Sequence, residues 1–194
     1  MPVPWQNLEA LDLLGRIAAI GRPATVVDWG CGMNHGPISS QVRQLQCDRL
    51  VSIDVWPEYV SKVLAEPYAA KEHHCYCTEI LQFAALAFDK HRHYDLSLCL
   101  DIVEHFEKSS ALDFLALVEG LSSHVLIWIP LGYAPITYDT YGGDNDYWHT
   151  HRSTWGPEEL ERLGYAVEVL ENFHTPMFGH KVDGGWAYKR VGGQ

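Results

Sequence analysis

Along the first two thirds of the chain, short apolar runs alternate with segments whose apolar residues recur at helical spacing. This pattern predicts strands and helices in succession. Short apolar runs that end in glycine or an acid favour strands, whereas apolar residues three or four apart favour helices. The predicted strands are 24–29, 49–55, 73–77, 94–100 and 125–129. The predicted helices are 5–21, 37–47, one that begins after Pro57, 79–90 and 108–120.

The alternation of predicted strands and helices ends after the fifth predicted strand. Residues 131–155 are rich in Tyr, Gly, Asp, Trp and His without a clear period, and a helix at 156–163 and strands at 165–173 and 184–191 follow. Five strand–helix units and a final strand pair predict an α/β fold, a doubly wound, mostly parallel seven-stranded sheet whose last strand is antiparallel. We expect one domain over 1–194, with 1–22 as a helical cover and 131–155 as a substrate-side insertion.

Composition narrows the classes of protein that remain. The chain has 194 residues, 47% of them hydrophobic, and a net charge of −11, which makes broad nucleic-acid binding unlikely. No apolar run approaches the ~18 residues of a membrane span, and the N-terminus lacks the pattern of a secretory signal. Five scattered cysteines do not suggest a disulfide framework, so we expect a cytoplasmic protein; nothing indicates its oligomeric state.

A glycine pair follows the first predicted strand and suggests a cofactor loop. Gly30 and Gly32 would let the backbone turn sharply and approach a ligand. Asp54, at the end of the second strand, is placed to bind ribose hydroxyls, although it could instead cap the next helix. Asp28 favours a ligand with an ammonium group, such as the methionine end of S-adenosylmethionine, over a dinucleotide pyrophosphate.

The run Val26-Val27-Asp28-Trp29-Gly30-Cys31-Gly32 resembles the first motif of class I S-adenosylmethionine-dependent methyltransferases. The resemblance covers nearly the whole chain and extends to functionally uncharacterised bacterial members. Segments 77–80 and 94–105 are similar to the motifs after the third strand and around the fourth. The resemblance implies a Rossmann-like methyltransferase fold, S-adenosylmethionine as cofactor, and methyl transfer to an oxygen or nitrogen of a small-molecule acceptor.

The same resemblance implies a set of cofactor-binding residues. An acid after the third strand would reach the adenine amino group, with Ile80 and Trp56 flanking the ring, and Asn34 stands where the family has a third glycine. The implied set is Asp28, Gly30, Cys31, Gly32, Asn34, Asp54, Val55, Trp56, Thr78, Glu79, Ile80, Asp101 and Ile102.

The reaction centre is expected where the fourth strand ends, at Asp101-x-x-Glu104-His105. His105 is the candidate base, because imidazole titrates near neutrality, or else it is an ordinary residue at a helix start. The pattern is similar to the E-x-x-E-H of ubiquinone-pathway and small-RNA O-methyltransferases. In those families the two acids and the histidine hold a divalent cation, and in the RNA enzymes a later histidine is a further ligand. His151 is positioned like that later histidine. We therefore take Glu104, His105 and His151 as the catalytic candidates. A divalent metal is possible but not favoured, because Asp101 is one methylene shorter than the glutamate of the family.

Residues of the 131–155 insertion leave several alternatives open. Its aromatic side chains could stack on a flat substrate, while Trp155 more simply packs a helix against the sheet. Arg152 could bind a substrate carboxylate or phosphate, or pair with a local acid. For the whole chain, an NAD(P)-dependent oxidoreductase and a non-catalytic S-adenosylmethionine-binding protein remain the alternative functions.

Overall fold

A computed structural model describes residues 8–33, 36–139 and 144–192, so Asn34 lies outside the described residues. Seven strands form one sheet in the order β3-β2-β1-β4-β5-β7-β6. The strands are β1 (Thr25–Trp29), β2 (Arg49–Asp54), β3 (Glu72–Cys77), β4 (Tyr94–Leu100), β5 (Ser122–Leu131), β6 (Ala166–Leu170) and β7 (Asp183–Arg190). Only β7 runs antiparallel to its two neighbours, β5 and β6. The predicted fold class is confirmed.

Helices cover both faces of this sheet. The helices are α1 (Leu13–Ile20), α2 (Ser39–Val42), α3 (Pro57–Ala65), α4 (Ile80–Asp89), α5 (Lys108–Leu121), α6 (Asp146–His149), α7 (Pro157–Arg162) and α8 (Thr175–Phe178). One apolar cluster packs α4, α5 and α7 on one face, and a second packs α1 and α2 on the other. Burial on both faces explains why β1, β4 and β5 are almost continuously apolar.

Two predicted helices are shorter than expected. The helix predicted over 5–21 is interrupted at Asp12, whose side chain accepts a hydrogen bond of 2.8 Å from Gly15 N–H and so caps α1. The helix predicted over 37–47 is a single turn, because the carbonyls of Cys47 and Asp48 accept hydrogen bonds from Lys71 and Glu72 at the start of β3. The apolar spacing of 37–47 does not reveal this pairing with a distant segment.

The connection between β6 and β7 also differs from the prediction. A glycine-rich turn was expected between strands ending at 173 and beginning at 184, but β6 ends at Leu170 and residues 171–182 form an excursion that contains α8. Among the described residues, every helix is too short or too polar to cross a bilayer.

Candidate functional site

A cavity of about 1030 Å³ opens where the parallel strands end at their carboxyl termini. Ligands of doubly wound sheets bind at this edge, where the strand order reverses. Eight of the predicted cofactor residues line the cavity: Cys31, Gly32, Asp54, Val55, Glu79, Ile80, Asp101 and Ile102. The three catalytic candidates Glu104, His105 and His151 line it as well.

Gly30 and Gly32 serve the loop after β1 in different ways. Their φ values are positive, 71° and 56°, and any residue with a side chain would be strained in that conformation. A Cβ at Gly30 would lie 2.6 Å from Ile102 Cδ1, whereas a Cβ at Gly32 would meet nothing within 4 Å. Gly30 therefore allows the loop to pack closely on Ile102, and Gly32 leaves open the space that a side chain would fill.

Asp54 is fixed in place by the backbone around it. Its carboxylate accepts hydrogen bonds from Gly32 N–H at 2.8 Å and Trp56 N–H at 2.9 Å. Burial raises the pKa of Asp54, while these two N–H groups act in the opposite direction. The carboxylate stabilises the turn before α3 and lines the cavity, but it does not cap α3, which has no side-chain cap.

Four predicted cofactor residues do not line the cavity: Asp28, Gly30, Trp56 and Thr78. Asp28 is 2% exposed and lies within the sheet, with Oδ2 unpartnered among the described residues. Burial, and then the charge of Asp54, raise the pKa of Asp28 to about 7. A direct contact with a ligand in the cavity is therefore better assigned to Asp101 than to Asp28.

Asp101 adopts an unusual backbone conformation at the end of β4. Its φ is +51°, and its N–H donates a hydrogen bond of 2.9 Å to Trp128 O. Left-handed backbone at a residue other than glycine is strained, and such strain concentrates at functional sites. The side chain is open to the cavity yet surrounded by protein, which raises its pKa to about 7.

Glu104, His105 and His151 form a cluster of three potential ligand groups, which we call the Glu-His-His cluster. One oxygen or nitrogen atom from each lies within 4.8 Å of the others. Glu104 is 2% exposed, and neither carboxylate oxygen has a partner among the described residues; the same holds for His105 Nδ1. Burial and the charge of Asp101 raise the pKa of Glu104 well above its ordinary value.

The imidazoles of this cluster are neutral. Burial and neighbouring histidines lower the pKa of His105 to about 3, and burial lowers that of His151 to about 4. His151 Nδ1 lies 2.6 Å from the carbonyl oxygen of Ala134, which can only accept. Nδ1 therefore carries the proton, and the lone pair is on Nε2, the arrangement of a metal-binding histidine.

Arg152 pairs with backbone carbonyls and not with any local acid that the structure describes. Its guanidinium donates to the carbonyl oxygens of His105 at 2.9 Å, Thr150 at 3.0 Å and Tyr147. Its backbone N–H donates to Glu104 O. No carboxylate among the described residues pairs with it, so Arg152 ties the insertion to the segment that carries the Glu-His-His cluster.

The aromatic residues of the insertion divide into two groups. Trp155 is 1% exposed, and Lys108 Nζ lies 3.4 Å from its ring centroid, which agrees with a packing role. Tyr147, by contrast, is 68% exposed and lines the cavity.

Sequence reasoning missed three further side chains beside the cavity. Tyr59 of α3 donates to the carboxylate of Asp139 at 2.9 Å, and His149 Nε2 lies 3.1 Å from the same hydroxyl. His174, from the β6–β7 excursion, is 7% exposed and lines the cavity. No motif marks these residues, because segments far apart in the chain bring them together.

Comparison with known proteins identifies the fold. No model of a known protein family matches this sequence, and no curated protein matches it significantly. Among solved structures, the methyltransferase domain of bacterial CtHen1-C is similar, with TM-score 0.58, 15% identity, and 99% of this chain and 100% of that one covered. The N-terminal domain of EvdMO1 with SAH bound gives TM-score 0.63 at 12% identity over 98% and 83% of the two chains.

A third similar structure is the magnesium protoporphyrin IX methyltransferase ChlM from Synechocystis with bound SAM. Its TM-score is 0.56 at 14% identity, with 94% of this chain and 79% of that one covered. The chain has the class I methyltransferase fold that the resemblance implied.

Proposed function

We propose that this protein is an S-adenosylmethionine-dependent methyltransferase that acts on an oxygen or nitrogen atom of a small molecule. The observation that carries the proposal is the Asp54 carboxylate, fixed by Gly32 N–H and Trp56 N–H beside the glycine loop. A preorganised carboxylate at the end of the second strand suits a vicinal ribose diol. The structures of EvdMO1 with SAH and ChlM with SAM support the same cofactor on this fold.

Charge supports a cationic cofactor in the same cavity. Asp54, Glu79 and Asp101 line it, and an ammonium or sulfonium group would offset the cost of placing carboxylates in a partly buried site. Ile80 and Ile102 add apolar surface for a flat base. S-adenosylmethionine, when bound, supplies a methyl group that its sulfonium makes electrophilic.

We further propose that the Glu-His-His cluster holds a divalent cation beside the acceptor. Its residues fit such an ion, because an unpartnered buried carboxylate needs a positive partner and both imidazoles can offer a lone pair. A cation there would lower the pKa of an acceptor hydroxyl. In the absence of a cation, the same residues would orient the acceptor and receive its proton at Glu104.

Calorimetric titration with S-adenosylhomocysteine tests the cofactor assignment, with NAD⁺ and NADP⁺ as parallel titrants. We expect saturable one-site binding of the homocysteine nucleoside and none of the dinucleotides. Tight binding of a dinucleotide alone would favour the oxidoreductase alternative. Cofactor binding without turnover of any acceptor, and with no effect of His105→Ala on any readout, would favour the non-catalytic alternative.

The cation assignment has its own measurement. Mn²⁺ is titrated into chelator-treated protein while the free ion is followed by electron paramagnetic resonance. We expect one site that Glu104→Gln weakens by tenfold or more, whereas Glu161→Gln, at an exposed position of α7, leaves it unchanged. Equal binding by all three proteins would place Mn²⁺ elsewhere, and full methyl transfer after chelation would remove the cation from the reaction.

A further inference from the structure

Part of the cavity wall is aromatic and contains none of the predicted cofactor residues. We call Trp128, Phe173, His174, Pro176, Met177 and Phe178 the aromatic wall. Trp128 belongs to β5, and the other five come from the β6–β7 excursion. The rings are contiguous, with centroid distances of 5.2 Å from Trp128 to Phe173, 5.8 Å from Trp128 to His174 and 6.5 Å from His174 to Phe178.

This wall is built on anchored backbone. Asn172 N–H donates to Asp183 Oδ1 at 2.6 Å, and His174 N–H donates to Val182 O at 2.9 Å, so the two ends of the excursion are joined. A Cβ at Gly184 would lie 2.4 Å from the Trp128 ring, so glycine is what lets the indole lie against β7. Because hydrogen bonds already hold the wall in place without a ligand, binding a ligand would cost little conformational entropy in the wall.

The charged side chains around the cavity disfavour one large class of acceptor, the anionic compounds. Five carboxylate side chains line it: Asp54, Glu79, Asp101, Glu104 and Glu107. Arg152 is the one lysine or arginine among the described lining residues, and its guanidinium is occupied by three backbone carbonyls. An acceptor that carries a phosphate or carboxylate would find no unoccupied lysine or arginine side chain among these described residues to pair with.

His174 gives the aromatic wall one polar contact. His174 is only 7% exposed, and its Nε2 has no partner among the described residues. A buried nitrogen without a partner is costly, and a hydroxyl group of a ligand would satisfy it. Burial, and then the charge of His151, lower the pKa of His174 to about 4.

From the wall, the charges and the free nitrogen, we infer that the acceptor is an uncharged, planar aromatic compound with a hydroxyl group. Its ring packs on Phe173 and Phe178, behind which Trp128 is buried, and a polar group of it hydrogen-bonds His174 Nε2. A lone pair of the reacting hydroxyl oxygen forms the new C–O bond, and the S–C bonding pair stays on sulfur. The hydroxyl proton passes to the Glu104 carboxylate, or to water when a cation occupies the Glu-His-His cluster. This inference rests on the proposed function and adds the class of substrate to it.

The test uses the whole protein saturated with S-adenosylhomocysteine, after calorimetry has established that binding. Ligand-observed NMR then compares a matched pair, hydroxybenzyl alcohol and hydroxybenzoate, which differ in charge on the same ring. A short single-stranded oligoribonucleotide is the third ligand. We expect the alcohol to bind at least tenfold tighter than the carboxylate, and the oligonucleotide neither to bind nor to displace the alcohol.

Two variants locate the contact. His174→Phe keeps an aromatic ring but removes Nε2, so we expect affinity for the hydroxylated ligand to fall three- to tenfold, about the worth of one hydrogen bond. Affinity for the hydroxyl-free analogue toluene should not fall. Phe178→Ala should weaken both ligands, whereas Phe88→Ala, at an exposed position of α4, should weaken neither. S-adenosylhomocysteine should bind all variants as it binds the unmodified protein.

Several results would overturn the inference. These are equal affinity for the carboxylate and the alcohol, binding of the oligonucleotide in place of the aromatic ligand, or no aromatic binding to the cofactor-loaded protein. The comparison of ligands on the unmodified protein needs no variant, so it stands even if His174→Phe fails to fold. If S-adenosylhomocysteine itself does not bind, the proposed function fails, and the same ligand pair titrated into the free protein still decides whether the aromatic wall is a binding site.

Discussion

The backbone N–H of Arg152 donates a hydrogen bond of 2.8 Å to the carbonyl oxygen of Glu104. With the bonds from the guanidinium, this contact joins the insertion to the segment after β4 and brings His151 beside His105. The relative position of two residues from separate parts of the chain thus depends on one arginine side chain and its backbone.

We expect Arg152→Lys to lower the turnover of methyl transfer about tenfold or more while the KM for S-adenosylmethionine stays nearly constant. An ammonium cannot reproduce the planar fork that reaches three carbonyls, so the Glu-His-His cluster loses its alignment. Steady-state kinetics separate the two parameters. Arg162→Lys is the matched control, because that arginine bonds only a carbonyl of its own helix; a fall in both variants alike would contradict the alignment argument.

Asp54→Ala should weaken binding of S-adenosylhomocysteine by about 1.5–3 kcal/mol, because charge-assisted hydrogen bonds to the ribose are lost. Calorimetry measures this directly. Asp48→Ala, directly before the same strand but exposed and paired with Lys71 at 2.7 Å, should bind the nucleoside normally. Unchanged affinity in Asp54→Ala would mean that the ribose does not lie at this carboxylate.

The two loop glycines should respond differently to the same substitution. Gly32→Ala adds only backbone strain, about 1–2 kcal/mol, since its Cβ meets open space. Gly30→Ala adds similar strain and also overpacks against Ile102, for a total of about 2–5 kcal/mol. Urea unfolding of both variants measures the difference, and equal losses would show that Ile102 moves aside without cost.

Asp28→Asn should stabilise the protein in a way that depends on pH. The pKa of Asp28 is raised from 3.8 to about 7, so between these values the folded state holds a proton that the unfolded state has lost. Stability therefore falls as pH rises through this window, and the penalty persists above it. The asparagine variant removes the penalty, which is at most about 4 kcal/mol.

Thermal unfolding at several pH values checks this prediction. The variant should gain melting temperature over the unmodified protein at a pH of about 8 and little or nothing at a pH of about 4. Asp48→Asn serves as the control, because that exposed carboxylate has a lowered pKa next to Lys71 and should gain nothing at either pH. A gain for Asp28→Asn that is independent of pH would contradict burial of a charge as its cause.

Sequence reasoning works best where a local pattern decides the structure. The strand predicted over 94–100 is β4 with those same bounds, because it is buried, apolar and followed by an acid. The spacing of Gly30, Gly32 and Asp54 predicted a sharp turn after β1, and there both glycines have positive φ and Asp54 accepts a hydrogen bond from Gly32 N–H. Prediction was wrong at Asp12, where a side-chain cap interrupts the predicted helix, and over 43–47, where the helix has ended and Cys47 O accepts a hydrogen bond from Lys71 N–H.

The site was predictable only in part, for the same reason. Glu104 and His105 are neighbours in a motif, whereas His174 reaches the cavity from the far end of the chain. Nothing in the sequence around residues 171–182 signals that its aromatic residues line a cavity, since that depends on the position of β7 between β5 and β6. Likewise, the bonds of Arg152 to backbone carbonyls have no sequence pattern.

The excursion at 171–182 leaves and rejoins the sheet at nearly one point, as the bonds from Asn172 to Asp183 and from His174 to Val182 show. Such a segment could be replaced as a unit. A segment of different length could connect β6 and β7 without changing the loop after β1 or the acid that ends β2. Evolution, or an engineer, can therefore exchange what this protein recognises while keeping the machinery that recognition serves.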